Sequence, residues 1–127
     1  MATKEPARSV VIADDEAPIR SMLHRQLTNE GYTVLGEAAD GAEAISLVAR
    51  LRPDILILDE SMPVVSGQQA APFIRAKSPR TLIVAYSGAC TETPSWADAF
   101  ISKPGYKMIG TLLEMLPPRA APMVVQY

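Results

Sequence analysis

Ile55-Leu56-Ile57-Leu58-Asp59-Glu60-Ser61-Met62-Pro63 is the stretch on which the fold turns. Its apolar residues run on without polar alternation, which suits a strand covered on both faces. An aspartate then stands where that strand must end. Working outward, the same pattern repeats at Val10-Val11-Ile12, Tyr32 to Leu35, Thr81 to Ala85 and around Phe100-Ile101. Segments of helical period lie between. Ile19, Met22, Leu23 and Leu27 share a face before Gly31; Ala44, Ile45, Val48 and Leu51 share one before Pro53; Tyr106, Ile109, Leu113 and Leu116 share one before Pro117-Pro118. Glycine and proline just past a periodic run are helix stops. Strands joined through helices predict a parallel sheet with right-handed crossovers, a three-layer, doubly wound α/β sandwich. Ligands in such folds sit beyond the carboxyl ends of the strands.

Two segments fit less well. A third helix is expected over Ser66 to Ser78, but Pro72 would kink one begun at Ser66; a start near Gln69 would put that proline in the tolerant first turn. Gly88 to Ala97 should hold the fourth helix, yet Gly88, Thr91, Thr93, Pro94 and Ser95 make it a loop or a single turn. The final stretch is proline-rich and then apolar, a tail that frays or docks.

The 127 residues suffice for one domain with a sizeable core. Twelve basic against 14 acidic side chains give a net charge of -2, which offers no support for wholesale binding to nucleic acid or to an anionic membrane. The 48% hydrophobic content fits a packed globule. Cys90 stands alone, so no internal disulfide forms, and thiols with one histidine cannot build a metal cluster. The reading is a reduced, cytoplasmic protein. No signal peptide and no membrane-spanning run is visible.

Chemistry gathers at the strand ends. Asp14 and Asp15 follow the first strand, Asp59 the third and Lys103 the fifth. If those strands neighbour one another, the groups converge on one edge. Three carboxylates would repel there unless a cation intervened. Magnesium, which takes oxygen ligands and keeps several waters, suits one or two carboxylates plus phosphate, with Lys103 as a second positive charge. These are the ingredients of phosphoryl transfer. Ser87 is placed to bond a phosphoryl oxygen, and Gly88 leaves room for it.

Ordinary explanations stand beside each residue. Asp14 and Asp59 could open turns, Asp15 could cap the first helix with Pro18 at its start, Ser87 could be a Ser-Gly turn residue, and Lys103 a solvated end before Pro104. Trp96 could simply cover core, and His24 be a helix residue beside Arg25. Nothing adjacent to Cys90 makes it a nucleophile. What separates the functional reading is four polar groups after four apolar runs.

In that order, Asp14-Asp15, Ile57-Leu58-Asp59-Glu60-Ser61-Met62-Pro63 with Gly67, Ser87 and Lys103-Pro104 make the chain resemble a receiver domain of two-component response regulators, from about Ser9 to Leu116. The resemblance implies a flavodoxin-like strand order 2-1-3-4-5, a receiver over residues 8–117 and a tail over 118–127. It implies that Asp59 accepts a phosphoryl group from the phosphohistidine of a sensor kinase or phosphotransfer protein. Magnesium would be held by Asp15, Asp59 and the Ser61 backbone carbonyl, with Asp14 acting through water. Lys103 would pair with the aspartates and then the phosphoryl group. Ser87 would be the switch hydroxyl, and Phe100 the aromatic that swings inward on activation.

One departure is large. Lys103 follows Ser87 by only 16 positions, a shorter interval than the family usually carries, which implies loss or truncation of the fourth helix. That helix belongs to a face many members use for output or dimerisation, so a homodimer through it is in doubt. Gly105 and Pro72 are smaller departures. With few residues after Leu116 and no linker-like run, the chain is read as complete and as acting by partner binding rather than through a fused DNA-binding or enzymatic output. Two rivals remain. A phosphorylation-independent interaction module is motivated by the short Gly88–Ala97 segment. A metal-dependent phosphohydrolase is disfavoured because Ser61 stands where a second acid is needed. Loss of the phosphoryl group to water would be a timer rather than enzymatic turnover.

Overall fold

The computed structural model describes residues 8–88, 92–103, 107 and 109–119. Its elements in chain order are β1 (Ser9–Ala13), α1 (Ala17–Asn29), β2 (Thr33–Ala38), α2 (Gly41–Leu51), β3 (Ile55–Asp59), α3 (Gly67–Lys77), β4 (Leu82–Ser87), β5 (Ala99–Ser102) and α4 (Ile109–Met115). The strands form a five-stranded sheet in the order β2-β1-β3-β4-β5, parallel throughout. This is the expected doubly wound α/β architecture and strand order.

The unbroken apolar runs have the expected cause: β3 and β4 are buried along their whole length, with a helical layer on each face. Alternate residues divide between the layers. Val10, Ile12, Ile55, Ile57, Val84, Tyr86 and Ile101 pack with Leu23 and Leu27 of α1 and Ile109 and Leu113 of α4. Val11, Leu56, Leu58 and Ile83 pack with Ala44 and Val48 of α2 and Ala70, Ala71 and Ile74 of α3. The period of two along each strand therefore decides which core a residue joins.

Helix α3 departs from the later start expected near Gln69. It begins at Gly67 with Pro72 inside it, because Ser66 and Gln69 close a reciprocal capping box: each side chain accepts from the other's backbone N–H. Two satisfied donors at the end outweigh the one hydrogen bond that proline withholds. Between β4 and β5, Gly88 and residues 92–98 form bends and a turn, with no helix among the described residues. The truncated fourth helix is thus seen as such, although residues 89–91, including Cys90, lie outside the described set, as do the expected helix start at Tyr106, Pro104-Gly105 and tail residues 120–127. Trp96 and Ala97 pack against the α2–α3 core in its place. Among the described residues, no helix is long and apolar enough to cross a membrane.

Candidate functional site

Strands β1 and β3 are adjacent and in register, Ala13 beside Leu58, so the residues following them emerge at the same edge. Asp14 is held there by its N–H, which donates to the Ala38 carbonyl at 3.0 Å, and its Oδ1 accepts from the Glu16 N–H at 2.8 Å. That bond closes an Asx turn and leads the chain into α1. The N-cap of α1 is Glu16, whose side chain makes no capping bond, so Asp15 is an exposed acid with no capping duty. Behind Asp59 the chain doubles back so closely that a Cβ on Gly67 would stand 2.5 Å from the Asp59 carbonyl oxygen. Glycine is required there by space, not by φ.

The sequence-predicted charges meet. Asp14, Asp15 and Asp59 each present a carboxylate oxygen, all within 4.8 Å of one another. Lys103 Nζ stands 3.3 Å from Asp14 Oδ2 and 3.3 Å from Asp59 Oδ2. Only Asp59 Oδ2 receives a hydrogen bond from it; Asp14 Oδ2 is buried without any hydrogen-bond partner. Burial first, and the Asp14 carboxylate second, push Asp59 up to about 6, against the pull of Lys103 and the Ser61 N–H. Burial lowers the Lys103 ammonium, but the two aspartates outweigh it and raise the group above its ordinary value.

One ammonium among three acids leaves negative charge uncompensated at an edge where Asp14 and Asp59 are buried and Asp15 is exposed. A buried Asp14 oxygen that accepts no well-formed hydrogen bond, together with the carboxylates of Asp15 and Asp59, fits a hard divalent cation such as magnesium. Asp14, Asp15 and Asp59 are the residues that could hold it.

The remaining expected residues sit around this cluster. The Ser61 N–H donates to Asp59 Oδ1 at 3.3 Å, which places the Ser61 backbone beside the Asp59 carboxylate. Ser87 is buried at the end of β4, level with Ser102 of β5. Phe100 is half-buried on β5, beside Ala85. His24 lies apart, on α1, with Nδ1 at 2.8 Å from Glu37 Oε2. Two contacts were not legible in the sequence. Arg20 donates to the Asp14 backbone carbonyl at 2.6 Å, and the Tyr86 hydroxyl donates to the Lys103 carbonyl at 3.2 Å. Tyr86 lies just past the apolar run Thr81 to Ala85 that marked this strand; only its place directly before Ser87 could have drawn notice.

The chain is similar to known proteins. Residues 10–107 match the response regulator receiver domain. The transcriptional regulatory protein PdtaR of Mycobacterium tuberculosis is 44% identical over 82 residues, 63% of this chain and 40% of that protein, so the chain spans less than half of that relative's length. The chemotaxis protein CheY of Thermotoga maritima is 39% identical over 80 residues, covering 63% of this chain and 67% of that one. Among solved structures, the response regulator domain of Thermotoga maritima CheB superposes with a TM-score of 0.75 at 27% identity, over 85% of this chain and 91% of that domain.

Proposed function

The chain belongs to the response regulator receiver domain family, and from that premise we propose that it is a magnesium-dependent phosphoryl acceptor of two-component signalling, with residues 8–117 as the receiver. The observation that carries the reading is the contact of Lys103 with both Asp14 and Asp59 at the carboxyl edge of the sheet, with Asp15 alongside. An Asp59 carboxylate oxygen attacks the phosphorus of a kinase or phosphotransfer-protein phosphohistidine. The N–P bond breaks, its electrons return to the imidazole, and an aspartyl phosphate remains. A bound magnesium ion would neutralise phosphoryl oxygens, held by Asp15, Asp59 and the Ser61 carbonyl with Asp14 behind a water. Lys103 supplies fixed positive charge on the other side, which suits a reaction governed by positioning and electrostatics. Ser87 would then turn to a phosphoryl oxygen, and Phe100 would move into the space it leaves. The outcome is an altered binding surface on a cytoplasmic signalling module that turns over no substrate.

The lost fourth helix favours one rival, an interaction module that needs no phosphorylation. Intact mass after incubation with a small phosphodonor and magnesium separates the two. The expected result is one added phosphoryl group that is absent in Asp59→Asn. An unmodified mass in folded protein would establish the rival.

A further inference from the structure

Resting on the phosphoryl-acceptor reading, the geometry points to Tyr86 as a positioning residue that holds Lys103 in place through the lysine's own backbone carbonyl. The series of alternate residues on one face of the sheet runs Val10, Ile12 and then Asp14 on β1; Ile55, Ile57 and Asp59 on β3; Val84 and Tyr86 on β4; Ala99, Ile101 and then Lys103 on β5. Strand β4 lies between β3 and β5, and Tyr86 is the register partner of Asp59 on one side and of Ile101 on the other. To reach Asp59, two strands and roughly 10 Å away at ordinary strand spacing, the lysine stem must cross the end of β4, the strand that carries Tyr86.

The contacts agree with that path. The ammonium stands 5.8 Å from the centre of the Tyr86 ring, inside cation–π range, while 3.3 Å from each carboxylate. The ring is only 1% exposed and is packed among core residues of β1, β3, α1 and α4, so it cannot shift without moving that core. Its hydroxyl donates to the Lys103 carbonyl at 3.2 Å. Tyr86 thus touches Lys103 at both ends, backbone and ammonium, from within the buried core. Among the described residues no helix packs over the short β4–β5 connection, and a buried side chain on the neighbouring strand would fix the lysine instead.

Two substitutions test this. Tyr86→Phe keeps the ring and deletes the hydroxyl; Tyr86→Leu deletes both and serves as a second variant. The first readout is the pair of Lys103 ε-carbon and ammonium resonances in metal-free protein, which requires no phosphoryl transfer. The second is the rate at which a small phosphodonor with magnesium modifies Asp59. In Tyr86→Phe the lysine resonances should move while the amide spectrum away from β4 and β5 stays as it was. Phosphorylation should slow about fivefold, the equivalent of roughly 1 kcal/mol for one hydrogen bond. Unmoved lysine resonances in the phenylalanine variant overturn the proposal. So does an effect confined to Tyr86→Leu, which would reduce the residue to core packing, or a moved resonance with an unchanged rate. If the unsubstituted chain accepts no phosphoryl group while the lysine resonances move, the positioning role stands and the acceptor reading alone falls.

Discussion

Asp59 is an acid held where it would rather be neutral, and the sign of that conflict sets how the protein responds to pH. Its folded-state value of about 6 lies above the ordinary 3.8, so the folded protein binds this proton more tightly than the unfolded chain. The contribution to stability is complete below the ordinary value and is lost as pH rises through about 6. A displacement of about two pH units amounts to at most about 3 kcal/mol, and Lys103 and Asp14 share in it. In metal-free protein, urea titrations should therefore show Asp59→Asn more stable than the parent at pH 7, with the advantage gone at pH 4. Magnesium should stabilise the parent at pH 7 and do so less in the variant, read as the shift in melting temperature. Gly67 makes a second case at this scale. A Cβ there meets the Asp59 carbonyl at 2.5 Å, which is backbone and cannot swing aside. Gly67→Ala should cost about 1–3 kcal/mol in thermal unfolding, the range for overpacking, and displace Asp59. Asp14, Asp15, Asp59 and Lys103 could be found in the sequence because each follows an apolar run, and a parallel sheet collects such positions on one edge. The direction of the hydroxyl of Tyr86 could not, because a strand pattern gives the face of a side chain and not its partner.

At the scale of elements, the connection from β4 to β5 is where packing has been replaced by charge. Asp98, just before β5, accepts from the Ile83 N–H at 2.8 Å, from Arg75 of α3 at 3.3 Å and from Arg119 at 2.5 Å. Arg75 also donates to the Trp96 carbonyl at 3.0 Å and Arg119 to the Pro79 carbonyl at 3.0 Å. One carboxylate thus ties a strand, a helix and the segment after α4 to a stretch with little regular structure. Asp98→Ala strands the Ile83 N–H and leaves two guanidinium groups without their acid, so a loss of about 2–3 kcal/mol in chemical denaturation is expected. Arg119→Ala should cost about 1 kcal/mol or less, because the arginine side chain is 31% exposed to solvent. None of this was readable from Gly88 to Ala97, whose poor propensity correctly denied a helix but named no substitute. Strand β2 shows another limit. The apolar run at Tyr32 to Leu35 marks it, yet the strand extends through Gly36 and Glu37 to Ala38, since an edge strand tolerates polar residues on its open side. Pro72 misled for a different reason: a proline penalty is local, whereas the Ser66–Gln69 box that overrode it is a paired feature.

Taken as a whole, the molecule has two cores separated by one sheet, and the acidic site sits at the rim where both end. A charge added to Asp59 can therefore reach the helical layers through the strands it stands among, as well as at the start of α3, where Gly67 lies against the Asp59 carbonyl. Towards α2 and α3 the route passes Ser87 and the β4–β5 connection, where Trp96 packs against the core from the place a helix would occupy. That position would make the single tryptophan a reporter of the proposed switch. Phosphorylation adds negative charge and acceptor oxygens at Asp59. If Ser87 turns to one of those oxygens, the chain just beyond it must follow, and the indole with it. Tryptophan emission should change on adding magnesium with a small phosphodonor, and revert as the aspartyl phosphate hydrolyses. In Ser87→Ala the phosphoryl group should still be acquired, by intact mass, while the change in emission is lost or at least halved. An emission change that persists in full without the Ser87 hydroxyl would place the route on the other face, through Lys103, Tyr86 and the α1–α4 core.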